Sequence, residues 1–148
     1  MNNYTPKSEE QLAREGLMPD GIYDFEVVET RDKPSKAGNP MFTLKLHVFD
    51  SAGSTNVIYD YIVLGNNFGE RKLRHAADAC GIIDIYETGK MNESDFQGKC
   101  GKVEIKTQNG NDDFPLPKNV VRDYVKREPG QVDKPKAVDA IADDEVPF

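Results

Sequence analysis

The spacing of the apolar residues changes twice along this chain, and that change constrains the fold more than any other feature. Before residue 65, apolar and polar residues alternate, which is typical of half-buried β-strands. The alternation predicts three strands, at residues 22–30, 41–49 and 57–64. The middle strand is the clearest, because its even-numbered residues from Phe42 to Val48 are all apolar.

The spacing then becomes helical and afterwards returns to alternation. Residues 73, 76, 77 and 80 are apolar or small, and this spacing places them on one face of an amphipathic helix. Asn66 or Asn67 can cap the start of this helix, and Gly81 can end it. Alternation at residues 101–107 and 120–126 predicts a fourth and a fifth strand.

Composition divides the chain into three parts. Residues 1–20 form a polar N-terminal extension, with a short helix predicted after Ser8 and a stop at Gly16 in the left-handed conformation. Residues 21–127 contain all five predicted strands. Residues 128–148 are expected to be a flexible, disordered acidic tail, because they cannot bury enough apolar surface to offset their ordering entropy.

The order of elements suggests a fold class. Three strands, a helix and two strands follow one another as in the OB-fold, a five-stranded, partly open barrel with a helix between strands three and four. We therefore predict a mainly β protein: an OB-like barrel with a short N-terminal helix and a disordered acidic C-terminal tail. Other small α+β domains share this order, and the order alone leaves them open.

The formal net charge of −7 argues against a surface that is positive throughout. Residues 131–148 contain five acids and two bases, a net charge of −3, which leaves −4 for residues 1–130. Any site for nucleic acid must therefore be a local positive groove.

Catalytic, metal and membrane functions find little support in the sequence. His47 and His75 have no nucleophile or metal ligand at a suitable spacing, and Cys80 and Cys100 are isolated. No run approaches the roughly 18 apolar residues of a membrane span, and residues 1–10 lack the apolar stretch of a secretory signal. We expect a non-enzymatic protein with no cofactor and no metal, in a reducing cytoplasm.

The last six residues carry the sharpest pattern. They are Asp143, Asp144, Glu145, Val146, Pro147 and Phe148. A partner with an apolar pocket rimmed by Arg or Lys could capture the ring together with the terminal carboxylate. We expect this tip to bind a protein, with the flexible segment before it acting as a tether. The alternative is an ordinary frayed acidic terminus.

This tip closely resembles the acidic end of bacterial single-stranded DNA-binding proteins, in which aspartates precede Ile-Pro-Phe; here Val146 replaces the isoleucine. The rest of the chain resembles a bacteriophage family described as single-stranded DNA-binding. The matching stretches are residues 15–45, 60–61, 72–75, 98–106 and 119–126. The resemblance implies sequence-tolerant binding of single-stranded DNA in phage DNA replication, recombination and repair. It also implies a location in the bacterial host cytoplasm and recruitment of replication or repair proteins by the tip.

The chemistry of single-strand binding selects candidate contact residues. Such proteins combine cations that bind phosphates with exposed aromatic rings on which bases stack. In OB-folds the face of strands two and three and the loops after strands one and four bind the ligand. The candidates on these elements and on strand five are Arg31, Lys33, Lys36, Lys45, Tyr59, Tyr61, Phe114, Lys118, Arg122, Tyr124 and Lys126.

The orientation of these side chains is a further prediction. We expect Tyr59 and Tyr61 to face outward; the alternative is that their face is the core and that Ile58 and Ile62 face out. Asp60 is on the isoleucine side, where burying its charge would be costly. The three candidates on strand five are expected on its outward face. For the loop lysines the alternative is a solvated loop.

Basic residues also cluster on the predicted helix, at Arg71, Lys72, Arg74 and His75. We expect them to form a solvated face, because the helix of an OB-fold closes the bottom of the barrel, away from the groove. The alternative is a secondary basic patch.

Two alternatives to DNA binding remain. The first is an OB-like protein–protein interaction module, which the acidic charge favours. The second is an enzyme subunit or nuclease accessory, which would need metal ligands. The pattern is compatible with a homo-oligomer and does not decide the oligomeric state.

Overall fold

The computed structural model describes residues 3–131, which form a mainly β structure with one antiparallel sheet. The strands are β1 (Gly21–Asp32), β2 (Met41–Phe49), β3 (Thr55–Val63), β4 (Cys100–Gln108) and β5 (Lys118–Val125). Their order in the sheet is β3-β2-β1-β4-β5, with antiparallel neighbours throughout. β1 is therefore central, and β3 and β5 are the two edges.

The predicted alternation is confirmed in the first three strands. Phe25 and Val27 of β1 are buried, as are Leu44, Leu46 and Val48 of β2. Burying each such side chain stabilises the fold by about 1.5–3 kcal/mol. The core therefore lies on one face of the sheet.

Three helices accompany the sheet: α1 (Glu9–Glu15), α2 (Asn67–Ala79) and α3 (Ile83–Glu87). A 3₁₀ turn at Glu93–Phe96 precedes β4. The helix α3 and this turn lie in residues 82–98, for which the sequence predicted no element. They are five and four residues long, too short to show an apolar period.

The predicted helix ends are confirmed for α2 and partly wrong for α1. The Asn66 side chain accepts a hydrogen bond from the Gly69 N–H at 2.8 Å, and Gly81, just past α2, has a φ of +76°. Ser8 caps α1 through a bond from the Gln11 N–H. Gly16, however, has a φ of −85°, so this helix ends without a left-handed residue.

Helix α2 packs on β3, β4 and β5 and covers the core. Its predicted apolar stripe is buried, including Leu73, Ala76 and Ala77. Two glycines allow this close approach. A methyl group at Gly69 would overlap the carbonyl oxygen of Val63, and one at Gly101 would overlap that of Ala79. The helix is thereby held against the end of β3 and the start of β4.

The prediction that Tyr124 faces outward is wrong. Tyr124 is only 4% exposed, and its ring packs edge-on against Phe25 with the centroids 5.6 Å apart. The cause is a β-bulge: Glu104 is paired with Asp123, but the next residue of β4 is paired with Val121. The extra residue in β5 shifts the alternation, so that both Val121 and Tyr124 face the core.

The expectation of a solvated Lys72 is also wrong. Tyr59 and Tyr61 do face outward, which leaves Asp60 buried on the core side of β3. Lys72 is buried beside it: its Nζ donates to Asp60 Oδ1 at 2.8 Å and to the Val121 carbonyl oxygen at 3.0 Å. A buried charge needs a partner of this kind. The helix therefore supplies the cation that makes the Asp60 position tolerable.

The two edge strands approach each other without pairing. In the described part of the chain, no backbone ladder joins β3 to β5. Side chains connect them instead, because the Tyr124 hydroxyl donates to Asp60 Oδ2 at 2.8 Å. The sheet is therefore open along this side.

Candidate nucleic-acid interface

A groove of about 1140 Å³ lies between the two edge strands. Its long walls are β3 and β5, and its lining is completed by α1, the first turns of α2 and the end of β4. The N-terminal segment reaches this position because Asn119 of β5 holds the backbone of Met18 through two hydrogen bonds, at 2.9 and 3.1 Å.

The groove is locally positive, although the chain carries a net charge of −7. Five basic side chains line it, against two acidic ones, Asp60 and Asp123. Both acids have partners: Asp60 pairs with Lys72, and Asp123 is hydrogen-bonded to His75 at 2.9 Å. Three basic residues of the lining have no acidic partner within residues 3–131, namely Arg71, Lys106 and Lys118. These three are available to bind phosphates.

Two tyrosines of β3 present their rings at the groove. Tyr59 is 48% and Tyr61 58% exposed. Their rings are nearly parallel, with an interplanar angle of 12° and centroids 6.3 Å apart. Residues two apart on a strand share a face, so alternation alone produces this pair. Exposed rings of this kind are what bases stack on in single-strand binders.

A row of charged side chains continues from these tyrosines across the sheet. Lys45 lies opposite both Tyr59 and Glu29, with its Nζ 5.9 Å from the Tyr59 ring centroid and 3.8 Å from Glu29 Oε1. Arg31 lies 3.9 Å from the same carboxylate. Exposed ion pairs contribute only about 0–1 kcal/mol, so a phosphate could replace Glu29 as the partner of both bases.

The loop between β4 and β5 adds a third aromatic residue. Phe114 is 68% exposed, and the Lys118 Nζ lies 5.9 Å from its ring centroid. The Asn111 side chain shapes this loop by accepting hydrogen bonds from the backbone N–H groups of Asp113 and Phe114. Lys118 also lines the groove, so the ring lies beside the groove mouth.

The remaining candidates are less closely connected to the groove. Arg122 lines it but pairs with Glu104 at 3.1 Å. Lys33 and Lys36 are exposed in the loop after β1, and Lys126 is exposed beyond the end of β5. Tyr124 is not a candidate for contact with DNA, because its ring is part of the core. The predicted docking tip, residues 143–148, lies outside the described residues.

Among the lining residues that sequence reasoning missed, three have side chains suited to contacting DNA: Phe68, Arg71 and Lys106. Phe68 is 68% exposed on the first turn of α2. A signal for it was present, because this large apolar residue falls outside the stripe that starts at Leu73. For Arg71 the sequence favoured a solvated face away from the ligand, with a secondary basic patch as the alternative.

Comparison of the sequence with protein-family models finds no match, and a search of curated proteins finds none either. Within residues 3–131, no helix is long and apolar enough to cross a membrane. Over the same residues, no group of three His, Cys, Asp or Glu side chains is arranged to hold a metal ion. Function is therefore inferred from the chemistry of the groove itself.

Proposed function

We propose that this chain is a sequence-tolerant single-stranded DNA-binding protein. The ligand lies along the groove between β3 and β5 and over the outer faces of β2 and β3. One observation carries the proposal: the groove has more basic than acidic side chains and is lined by exposed tyrosines, although the chain as a whole is acidic.

The expected chemistry is electrostatic contact plus stacking. Arg71, Lys106 and Lys118 would bind phosphates without first breaking an ion pair. Bases would stack on Tyr59 and Tyr61, each stack contributing about 1–3 kcal/mol. Every base has a π face, and stacking therefore tolerates any sequence. We propose a binding role and no catalytic one, with no cofactor.

An OB-like barrel is the fold that we propose for this site. What supports it is the strand order, the helix between β3 and β4, and the approach of β3 to β5. Oligonucleotides bind to OB-folds on strands two and three and on the loops after strands one and four. Lys45, Tyr59, Tyr61 and Phe114 occupy those elements here.

We further propose a role in phage DNA replication, recombination and repair within the bacterial host cytoplasm. The support is the resemblance of residues 143–148 to the acidic tip of bacterial single-stranded DNA-binding proteins. In this proposal the tip recruits replication or repair proteins to the DNA that the barrel coats.

The test is a titration of fluorescein-labelled oligo-dT with the full chain at several salt concentrations. We expect the logarithm of the association constant to fall with the logarithm of salt concentration, by about 0.7 for each phosphate neutralised. The double variant Tyr59→Ala/Tyr61→Ala should bind about 100-fold more weakly, through the loss of two stacks. Tyr4→Ala is the control, since Tyr4 is exposed outside the groove.

Two outcomes would contradict the proposal. If the wild-type chain fails to bind oligo-dT even at low salt, the protein-interaction alternative, which the net negative charge favours, takes its place. If the double variant binds as tightly as wild type, the tyrosines are not the stacking surface.

A further inference from the structure

We infer that helix α2 carries an additional part of the nucleic-acid site, in which a base stacks on Phe68 and the neighbouring phosphate binds Arg71. This inference rests on the proposed function and extends it. The strand would then leave the β2–β3 face and continue along the groove toward the start of α2.

Phe68 is a large apolar residue of α2 that lies outside the buried stripe of this helix and is exposed. The core side of α2 is formed by Leu73, Ala76 and Ala77, and Phe68 retains 68% of its exposure. Within residues 3–131 the charged group over its ring is that of Lys72, whose Nζ lies 5.9 Å from the centroid. Most of the ring is therefore available to a ligand in the groove that it lines.

Arg71 follows Phe68 by three residues, so the two side chains lie on the same side of the helix. Arg71 lines the groove and has no acidic partner within the described residues. Its guanidinium can donate two parallel hydrogen bonds to a phosphate. Lys72 cannot do so, because its ammonium is buried and bound to Asp60.

The close contact between Gly69 and the Val63 carbonyl fixes where these residues lie relative to the tyrosines. Val63 is two residues beyond Tyr61, at the end of β3. The first turn of α2 therefore begins where the row of Tyr59 and Tyr61 ends. Tyr61 and Phe68 line the same groove, so a strand stacked on Tyr61 could continue along it to Phe68.

The chemistry of the groove favours a nucleic-acid strand as the occupant over an acidic peptide. Both ligands would supply anionic groups to the basic side chains that have no acidic partner. Only a strand also supplies a flat ring for each of the exposed aromatic side chains along the groove, Tyr59, Tyr61 and Phe68. The proposed occupant of the groove is therefore a single nucleic-acid strand, and the experiments below distinguish it from a peptide.

The first measurement is oligo-dT affinity for Phe68→Ala and Arg71→Ala. Each variant should bind an oligomer of about 16 nucleotides roughly tenfold more weakly, and one of about 5 nucleotides with little change, because a short strand is held by the tyrosines alone. The matched controls are Ile85→Ala and Arg74→Ala. Ile85 is an exposed apolar residue on α3, and Arg74 of α2 pairs with Glu87; neither lines the groove.

The second measurement uses the absence of tryptophan from the chain. Phe68→Trp introduces a single fluorescent reporter, and saturating oligo-dT should quench its emission by stacking. Ile85→Trp, the control, should be unaffected.

The outcomes separate this inference from the proposed function. If wild type binds oligo-dT and the tyrosine variants weaken binding, but the Phe68 and Arg71 variants match wild type and Phe68→Trp is not quenched, only this inference is overturned. If wild type does not bind oligo-dT, both fail. Quenching of Phe68→Trp by a peptide of residues 143–148, but not by oligo-dT, would overturn the choice of a strand as occupant.

Discussion

Three buried polar side chains hold the open side of the sheet together. Asp60 comes from β3, Lys72 from α2 and Tyr124 from β5, and the two hydrogen bonds to the carboxylate are both 2.8 Å long. Removing one member of a buried charged network leaves the others without a partner, which is strongly destabilising. These three residues therefore set the distance between the strands that form the groove walls.

Replacing Tyr124 with phenylalanine should lower the free energy of unfolding by about 1–3 kcal/mol, because a buried acceptor of Asp60 loses its donor. Burial raises the pKa of the Tyr124 hydroxyl well above its usual value, and the Asp60 carboxylate raises it further. The folded state thus holds this proton more tightly than the unfolded chain. The stabilisation is complete below the unfolded pKa of about 10 and is lost as the pH rises toward the folded pKa.

Urea denaturation between about pH 8 and pH 11 would measure this effect across the unfolded pKa of tyrosine. Wild type should lose stability above about pH 10 more steeply than Tyr124→Phe. Tyr4→Phe is the matched control, since Tyr4 is almost fully exposed. Equal slopes for wild type and Tyr124→Phe would contradict the prediction.

At the residue scale, the predicted outward orientation is confirmed for Tyr59 and Tyr61 but is wrong for Tyr124, and the predicted solvated helix face is wrong for Lys72. A β-bulge adds one residue to β5, and nothing local in residues 118–125 marks where it falls. Lys72 is buried because it pairs with Asp60, which is twelve positions away in the sequence. Pairings of this kind depend on tertiary contacts that no sequence pattern contains.

At the scale of elements, helix α2 positions both the buried network and the Phe68 side of the groove. Its first turn meets the end of β3 at Gly69, where there is no room for a side chain.

Gly69→Ala should destabilise the protein by about 1–3 kcal/mol, because the added methyl group must push α2 away from the Val63 carbonyl. Helix propensity alone would favour alanine by about 1 kcal/mol. The sign of the change in the free energy of unfolding therefore shows whether the steric overlap or the helix propensity dominates. Gly16→Ala is the control, since its added methyl would lie no closer than 3.6 Å to a neighbouring atom. Chemical denaturation measures both variants, and a stabilised Gly69→Ala would refute the close contact.

The five strands and α2 were predictable, because each is long enough to show a period of two or of 3.6 residues. The helix α3 and the 3₁₀ turn were not, since elements of five and four residues show no period. Phe96, at the end of that turn, is nevertheless fully buried. Its place in the core comes from packing, with its ring 6.1 Å from that of Phe42.

At the scale of the whole molecule, charge is unevenly distributed. The groove is lined by basic side chains of α2, β4 and β5, which are far apart in the sequence. DNA binding by this acidic chain requires a local positive groove, and the sequence identified Lys118 and Arg122 in its lining but missed the contribution of α2.

Deleting residues 139–148 should leave the fold intact and should not weaken oligo-dT binding, because the segment carries four acids and no base. The net charge would change from −7 to −3, which reduces repulsion of the DNA. Binding of replication or repair proteins should be lost. Thermal unfolding, the oligo-dT titration and a pull-down with purified candidate proteins measure the three effects, with Phe148→Ala as a second variant. A truncated chain that binds DNA more weakly would contradict the prediction.

Within residues 3–131 no backbone ladder joins β3 to β5, and the groove between these two strands bears on how a polymer could bind. A closed tunnel admits a strand only from its end, whereas an open groove on a protein surface admits it from the side. A circular molecule, or a short gap inside a duplex, offers no end at all. If DNA binds as proposed, the open groove between β3 and β5 would accept such substrates from the side.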